Sequence, residues 1–438
     1  MGQKRKKVLI ITYYWPPSGG AGVQRWLKFV KYLKDFGWEP IVYTPRNNEI
    51  PVYDNSLEKD VPKDIRILKR KIWEPYTFYK RFIGASREEK FNIGGFISEK
   101  TNYGIKDKIS TFIRGNLFIP DARKFWIKPS FRFLKKYIEK NPVDLIVTTG
   151  PPHSMHLIGL RLRKKTQIPW LADFRDPWTR IYMYKDLMLT KWADKKHRSL
   201  EKKVLETADH VLTVGWTLQK EFEELGAKDT SVIPNGYDEE DFRNIQPISH
   251  EGFWIVHTGN ISRTKNSLDF WAAISELTKE NAKIANDLKI RLAGKLDYTV
   301  EENIRKYRLD NYVAKLGYLP HDEVLKEQKS ATVLLLMTSE SVFSKGFIPG
   351  RTFEYLAAKR PIIAIANPQS DMAKVINKTG AGKVIDFGNK EELKQCILNY
   401  YQKYKQNNLK INSKETESFS RKNQARELTE LFNSIVGT

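Results

Sequence analysis

Gly350-Arg351-Thr352-Phe353-Glu354-Tyr355-Leu356-Ala357-Ala358-Lys359-Arg360-Pro361-Ile362-Ile363-Ala364 places one acid, Glu354, early in a short helical pattern. A loop with Gly346, Pro349 and Gly350 precedes it, and Pro361 opens an apolar run to Ala366. That run reads as a strand buried on both faces of a parallel sheet. A loop, a helix start and a following strand form the arrangement at which open α/β sheets bind nucleotides. A carboxylate at that crevice can accept hydrogen bonds from a diol such as a ribose. The plain alternative for Glu354 is a solvent-facing helix residue.

Outward from this segment the chain alternates strands and helices. Val8–Thr12 reads as a first strand and Tyr13–Gly22 as a glycine-bearing loop. Val23, Trp26, Leu27, Val30 and Leu33 recur at helical spacing, Gly37 ends that helix, and Ile41–Thr44 is the next strand. This is a βαβ unit without the Gly-Lys-Ser/Thr of a Walker loop. Residues from about 47 to 128 read as an irregular insertion. Strands resume at Asp144–Thr149, Trp170–Asp173 and His210–Val214, with a polar helix over Asp186–Glu206. In the second half Trp254–Thr258, Lys289–Leu292, Val313–Leu316, Val333–Leu336 and Pro361–Ala366 fit strands. The pattern predicts two α/β domains, each a doubly wound sheet. The boundaries are 1–235, 236–415, and a last helix over 416–438 with Leu428, Leu431, Phe432 and Ile435 as its apolar stripe.

Five stretches, in order, resemble the motifs of family-4 retaining glycosyltransferases: Tyr14–Arg25, Val232–Asp238, His257–Asn266, Gly317–Glu323 and Gly350–Ala364. The resemblance covers most of the chain. It implies the GT-B fold, two Rossmann-like domains facing across a cleft, with an acceptor-binding N-domain and a nucleotide-sugar-binding C-domain. It also implies that the last helix crosses back to the N-domain. By the same resemblance Lys265 meets the donor diphosphate, Glu354 the ribose, and Gly20 and Gly22 offer backbone N–H groups to the leaving phosphate. Tyr318 lies in the loop beside the base. Two departures stand out. Asn260 occupies the place of the usual arginine, so Arg263 is a candidate for that charge. Gly346 occupies the place of a first acid, which leaves the amides of Gly346, Phe347 and Ile348 to meet the sugar. Arg351 matches branches with a basic residue at that place.

On the N-domain side His153, at the end of a strand, is a candidate for bonding a sugar hydroxyl or phosphate oxygen. Asp173 and Asp176 are candidates for orienting the acceptor hydroxyl, with Arg175 and Arg25 on the acceptor side. The alternative for Asp173, Arg175 and Asp176 is an internal salt-bridge network. The resemblance implies no covalent nucleophile. No Asp-x-Asp triplet or His/Cys cluster suggests a metal, so neither metal nor cofactor is expected.

The chain of 438 residues carries a formal charge of +23 and one cysteine, Cys396, on an apolar helical face. A cytoplasmic compartment is expected from the cysteine usage. Val8–Thr12 is too short for a leader, and no apolar run approaches a membrane span. Residues 69–140 hold 18 Lys/Arg against 7 Asp/Glu, interleaved with aromatics including Trp73, Tyr76, Phe78, Tyr79, Phe82, Phe96, Phe112, Phe118, Phe125, Trp126, Phe131 and Phe133. Such a mixture suits an anionic membrane surface, which would make the protein peripheral on the inner face of the cytoplasmic membrane. The alternative is a basic solvated face whose aromatics are core. The expected acceptor is a lipid-linked glycan of surface polysaccharide assembly, and no nucleic acid is expected. The rival functions are a soluble glycosyltransferase acting on a small molecule or protein, and a non-catalytic basic module binding nucleic acid or anionic lipid.

Overall fold

The computed structural model describes all residues except 1–4, 49, 51–52, 75–104, 342–343, 412 and 438. The chain divides into two compact units, Met1–Pro234 with Gln424–Thr438, and Asn235–Asn423.

The first unit is built on seven parallel strands: β1 (Lys6–Ile11), β2 (Trp38–Pro45), β3 (Arg66–Arg70), β4 (Leu145–Gly150), β5 (Trp170–Phe174), β6 (His210–Thr213) and β7 (Thr230–Val232). Their order is β3-β2-β1-β4-β5-β6-β7. β4 has all six residues buried and β5 all five, as strands covered by helices on both faces must be. The winding reverses between β1 and β4, where Val8 pairs with Leu145 and Ile11 with Thr148. The helix Arg421–Val436 seats Leu428 and Phe432 in the core of this unit, with Phe432 edge-on to Trp38 at 5.1 Å.

The second unit holds β8 (Phe253–Thr258), β9 (Leu288–Ala293), β10 (Val313–Gly317), β11 (Val333–Met337), β12 (Ile362–Ile365) and β13 (Gly382–Ile385), all parallel in the order β10-β9-β8-β11-β12-β13. Its winding reverses between β8 and β11. Sheets wound in this way bind ligands outside the carboxyl ends of the strands beside the reversal.

The expectation of an irregular insertion over about 47–128 is corrected. Within it lie β3, the helix Ile105–Leu117 and the start of the helix Lys124–Lys140. β3 reads Arg-Ile-Leu-Lys-Arg, an edge strand with three of five residues exposed, so its charges mask the alternation. The helix Lys124–Lys140 contains Pro129, which at the sequence level argues against a helix. The aromatics of this stretch have divided fates. Trp126 is core and stacks on Tyr43 at 4.8 Å, while Phe131 and Phe133 pack against the same core. Trp73, Phe112 and Phe125 are exposed. Tyr76, Phe78, Tyr79, Phe82 and Phe96 lie outside the described residues.

Candidate functional site

In the second unit the strand β8 ends at Thr258, and Gly259 turns the chain at φ +108°. A side chain there would be strained, and its Cβ would come within 1.9 Å of the Arg351 guanidinium. Gly259 therefore lets Arg351, from the helix Gly350–Ala358, lie flat against the end of β8. The next turn, Arg263–Lys265, brings Lys265 close enough for the charge of Arg351 to act on it.

Lys265 is half-buried, and its ammonium makes no hydrogen bond or ion pair with any described residue. Burial, and secondarily the charge of Arg351, holds its ammonium below the usual lysine range. Arg351 has no acidic partner among the described residues either. Its Nη1 donates instead to Nε2 of His257 at 3.2 Å. Two cations facing one another without a counter-ion at a sheet reversal form a site for an anion.

Glu354 lies one turn further along the helix. Its Oε2 accepts from Nε2 of the fully buried Gln328 at 2.8 Å, and the same Nε2 reaches Oγ1 of Thr258 at 3.0 Å. The hydroxyl of Tyr355 accepts from the Thr258 amide at 2.9 Å and ties the helix to β8. Arg263 is exposed, in the same turn as Lys265. Asn260 accepts from the Lys295 amide at 3.0 Å and serves the loop. Tyr318 is 91% exposed. Gly346 and Ile348 sit in the loop before the helix, partly covered. The expectation that the Phe347 amide meets a sugar is corrected: that N–H donates to Ser344 O at 3.1 Å.

In the first unit the expectations for Asp173 and Arg25 are corrected. Both side chains have no exposed surface. Asp173 Oδ1 takes Nη2 and Nε of Arg25 at 3.1 and 3.3 Å, while Oδ2 takes Trp26 Nε1 at 2.6 Å and Thr149 Oγ1 at 2.8 Å. Arg25 Nη1 donates to the carbonyls of Ile233 and Pro234 at 2.8 and 3.1 Å. All the lone pairs of Asp173 are occupied, so this pair holds the helix Ala21–Leu33 to the sheet and cannot orient a substrate. The alternative of a network among Asp173, Arg175 and Asp176 is also corrected, because the bridge to Asp173 comes from Arg25.

Arg175 is held by carbonyls: Nε to Gly150 O at 3.2 Å and Nη2 to Pro151 O at 2.5 Å. Its guanidinium lies where a Cβ on Gly22 would stand, 2.4 Å from Nη1. Gly22, in the first turn of the helix Ala21–Leu33, thus admits Arg175 against that turn, and Gly20 precedes the helix at φ +93°. Asp176 has no hydrogen-bond or ion-pair partner among the described residues, and burial pushes its carboxyl up despite Arg175. His153 stacks on Trp178 at 4.9 Å with rings nearly parallel, and its Nδ1 has no hydrogen-bond partner among the described residues. Burial, then His156 and Arg175, hold it well below the usual histidine range. A neutral imidazole and an unpartnered carboxyl therefore stand at the ends of β4 and β5.

Sequence reasoning missed His257 and Gln328 as site residues. Both are buried and touch the site only through another side chain. Nothing in a single sequence distinguishes them from core polar residues.

Residues 100–241 match the family described as Glycosyltransferase Family 4, and residues 238–416 match Glycosyl transferases group 1. A curated relative, the probable glycosyltransferase WbjE of Pseudomonas aeruginosa, is 26% identical over 127 residues, which is 28% of this chain and 30% of that protein. The fold is similar to that of Anabaena HepE, solved in complex with UDP, at a TM-score of 0.60 and 13% identity, covering 98% of this chain and 100% of that one. It is also similar to sucrose-phosphate synthase from Thermosynechococcus elongatus, at a TM-score of 0.57 and 15% identity, covering 98% and 99%. The first match spans β4–β7 of one parallel sheet and the second all of β8–β13 of the other, and the chain belongs to the family-4 type of glycosyltransferases, built on the GT-B fold.

Proposed function

We propose that the protein transfers a sugar from a nucleoside diphosphate sugar to an acceptor hydroxyl, with retention at the anomeric carbon. The observation that carries this reading is Lys265, a half-buried ammonium with no counter-ion among the described residues, beside Arg351, a second cation with no acidic partner among them. A diphosphate supplies the two negative charges the site lacks. Glu354, steadied by Gln328, accepts from the ribose hydroxyls. HepE, of the same fold, has been solved with UDP and with UDP-glucose, which supports a donor of this class. In the reaction the bond from the anomeric carbon to the diphosphate oxygen breaks. The acceptor oxygen bonds to that carbon on the same face, and its proton passes to the departing phosphate. His153 and Asp176 serve the acceptor side.

With Lys265 and Arg351 meeting the diphosphate, donor binding needs no divalent cation. A thermal-shift series with nucleoside diphosphate sugars in excess EDTA tests this. The correct donor at 100 times its Kd stabilises the protein by about 2.7 kcal/mol. Stabilisation that vanishes in EDTA and returns with Mg²⁺ or Mn²⁺ overturns the metal-free reading.

The acceptor in this proposal is a lipid-linked glycan of surface polysaccharide assembly, met at an anionic membrane surface. The support is the helix Lys124–Lys140, where Lys128, Arg132, Lys136 and Lys140 are all exposed and recur every four residues, forming one basic stripe. Trp73 and Phe125 pack together edge-on at 4.7 Å, and both are exposed. No helix among the described residues is long and apolar enough to cross a membrane. Each basic residue near an anionic surface contributes about 1 kcal/mol, so reversing all four to Glu releases the protein from phosphatidylserine vesicles. Equal binding to neutral and anionic vesicles sinks this part of the proposal.

A further inference from the structure

Where the family resemblance leads one to expect an arginine after Gly259, this chain has Asn260, whose side chain is spent on the Lys295 amide. The structure holds another guanidinium at the same strand end. Arg351 reaches it from the helix that follows β11, and the bare Cα of Gly259 gives it room.

Its orientation comes from below. His257 is 1% exposed, the second-last residue of β8. Its Nδ1 is 2.9 Å from the carbonyl oxygen of Leu335 in β11, so Nδ1 must carry the proton and donate. Nε2 is then left with a lone pair, which faces Arg351 Nη1 at 3.2 Å. Burial, with Arg351 and Lys265 adding to it, pushes His257 down to about 3, so the lone pair persists through the neutral range. An arginine ordinarily takes its direction from a carboxylate. Here a neutral imidazole directs it and leaves its charge uncancelled, available to an anion together with that of Lys265.

We infer that His257 is a positioning residue for the donor diphosphate: clamped between β8 and β11, it aims Arg351 as the second phosphate-binding cation, in the place of the arginine missing at position 260. The inference rests on the proposed donor site.

The test is calorimetric titration of the full-length protein with inorganic pyrophosphate and with UDP. His257→Leu keeps bulk but removes the acceptor, and His257→Gln keeps an acceptor oxygen. Arg351→Ala weakens pyrophosphate about 10- to 100-fold, the range of a charge-assisted hydrogen bond. His257→Leu weakens it about 10-fold in the wild-type background and not at all in the Arg351→Ala background, because it acts only through Arg351. His257→Gln restores affinity to within about threefold, and Arg263→Ala costs less than Arg351→Ala. A merely structural histidine would instead lower stability and affect both backgrounds alike, which overturns the inference, as does a larger loss at Arg263. Should His257→Leu not fold, Arg351→Lys decides: it keeps the charge but loses the fixed fork, and is expected to bind pyrophosphate about 10-fold more weakly than wild type. Wild-type affinity in Arg351→Lys overturns the inference. Loss at Lys265→Ala with none at Arg351→Ala or His257→Leu refutes this inference alone. No loss at either cation refutes the donor-site reading itself.

Discussion

Lys265→Ala lowers kcat/KM about 30- to 1,000-fold, corresponding to about 2–4 kcal/mol of transition-state binding, and does not lower the melting temperature. The two halves of this expectation come from one fact. Lys265 is half-buried with no anion beside it and with Arg351 against it, so in the free protein its charge is a cost. Its stabilising partner arrives only with the donor, and the interaction strengthens as charge builds on the leaving diphosphate. Lys265→Met therefore melts at or above the wild-type temperature while losing the same activity. Glu354→Ala behaves as a companion, with the loss concentrated in the KM for donor, since a ribose contact is present in ground and transition state alike. Steady-state kinetics beside thermal melts check all three. A fall in melting temperature of the Lys265 variants together with unchanged turnover would return that residue to the fold.

Asp173→Asn has the opposite profile. It destabilises the first unit by about 3–5 kcal/mol, because Arg25 is left as a buried charge without its carboxylate. The unpaired donors of Trp26 and Thr149 add to the loss. For a unit of this size that corresponds to a melting temperature lower by roughly 10 °C. Replacing both partners by apolar residues, Arg25→Met with Asp173→Leu, costs less than the single change, since no buried charge remains. The informative contrary result is a variant that melts normally and has lost only turnover. In that case Asp173 contacts the acceptor, as its place at the end of β5 first suggested.

The alternation of apolar runs and helical patterns in the sequence determined the architecture. β11 and β12 are wholly apolar and β1, β4 and β8 contain the apolar runs Val8–Ile11, Leu145–Val147 and Phe253–Val256 because both faces are covered, and such runs stand out in a single chain. The edge strands β3 and β7 do not: β3 is largely charged and β7 only three residues long, so propensity and pattern were too weak to mark them. Glu354 was legible as a candidate because glycines, prolines and a charge at fixed offsets describe one loop and one helix start, which are local matters, whereas Lys265 was marked by the family resemblance. Tertiary structure decided everything that depends on residues far apart in the chain. Arg25 and Asp173 are 148 positions apart, and their pairing turned two apparent site residues into a buried strut. His257 and Arg351 meet because β8 and β11 are neighbours at the reversal of the second sheet, and Gln328 and Glu354 meet because the helices before and after β11 pack together. Charge at a position is written in the sequence. Whether that charge is already neutralised by the fold or left for a ligand is set by which strands lie side by side.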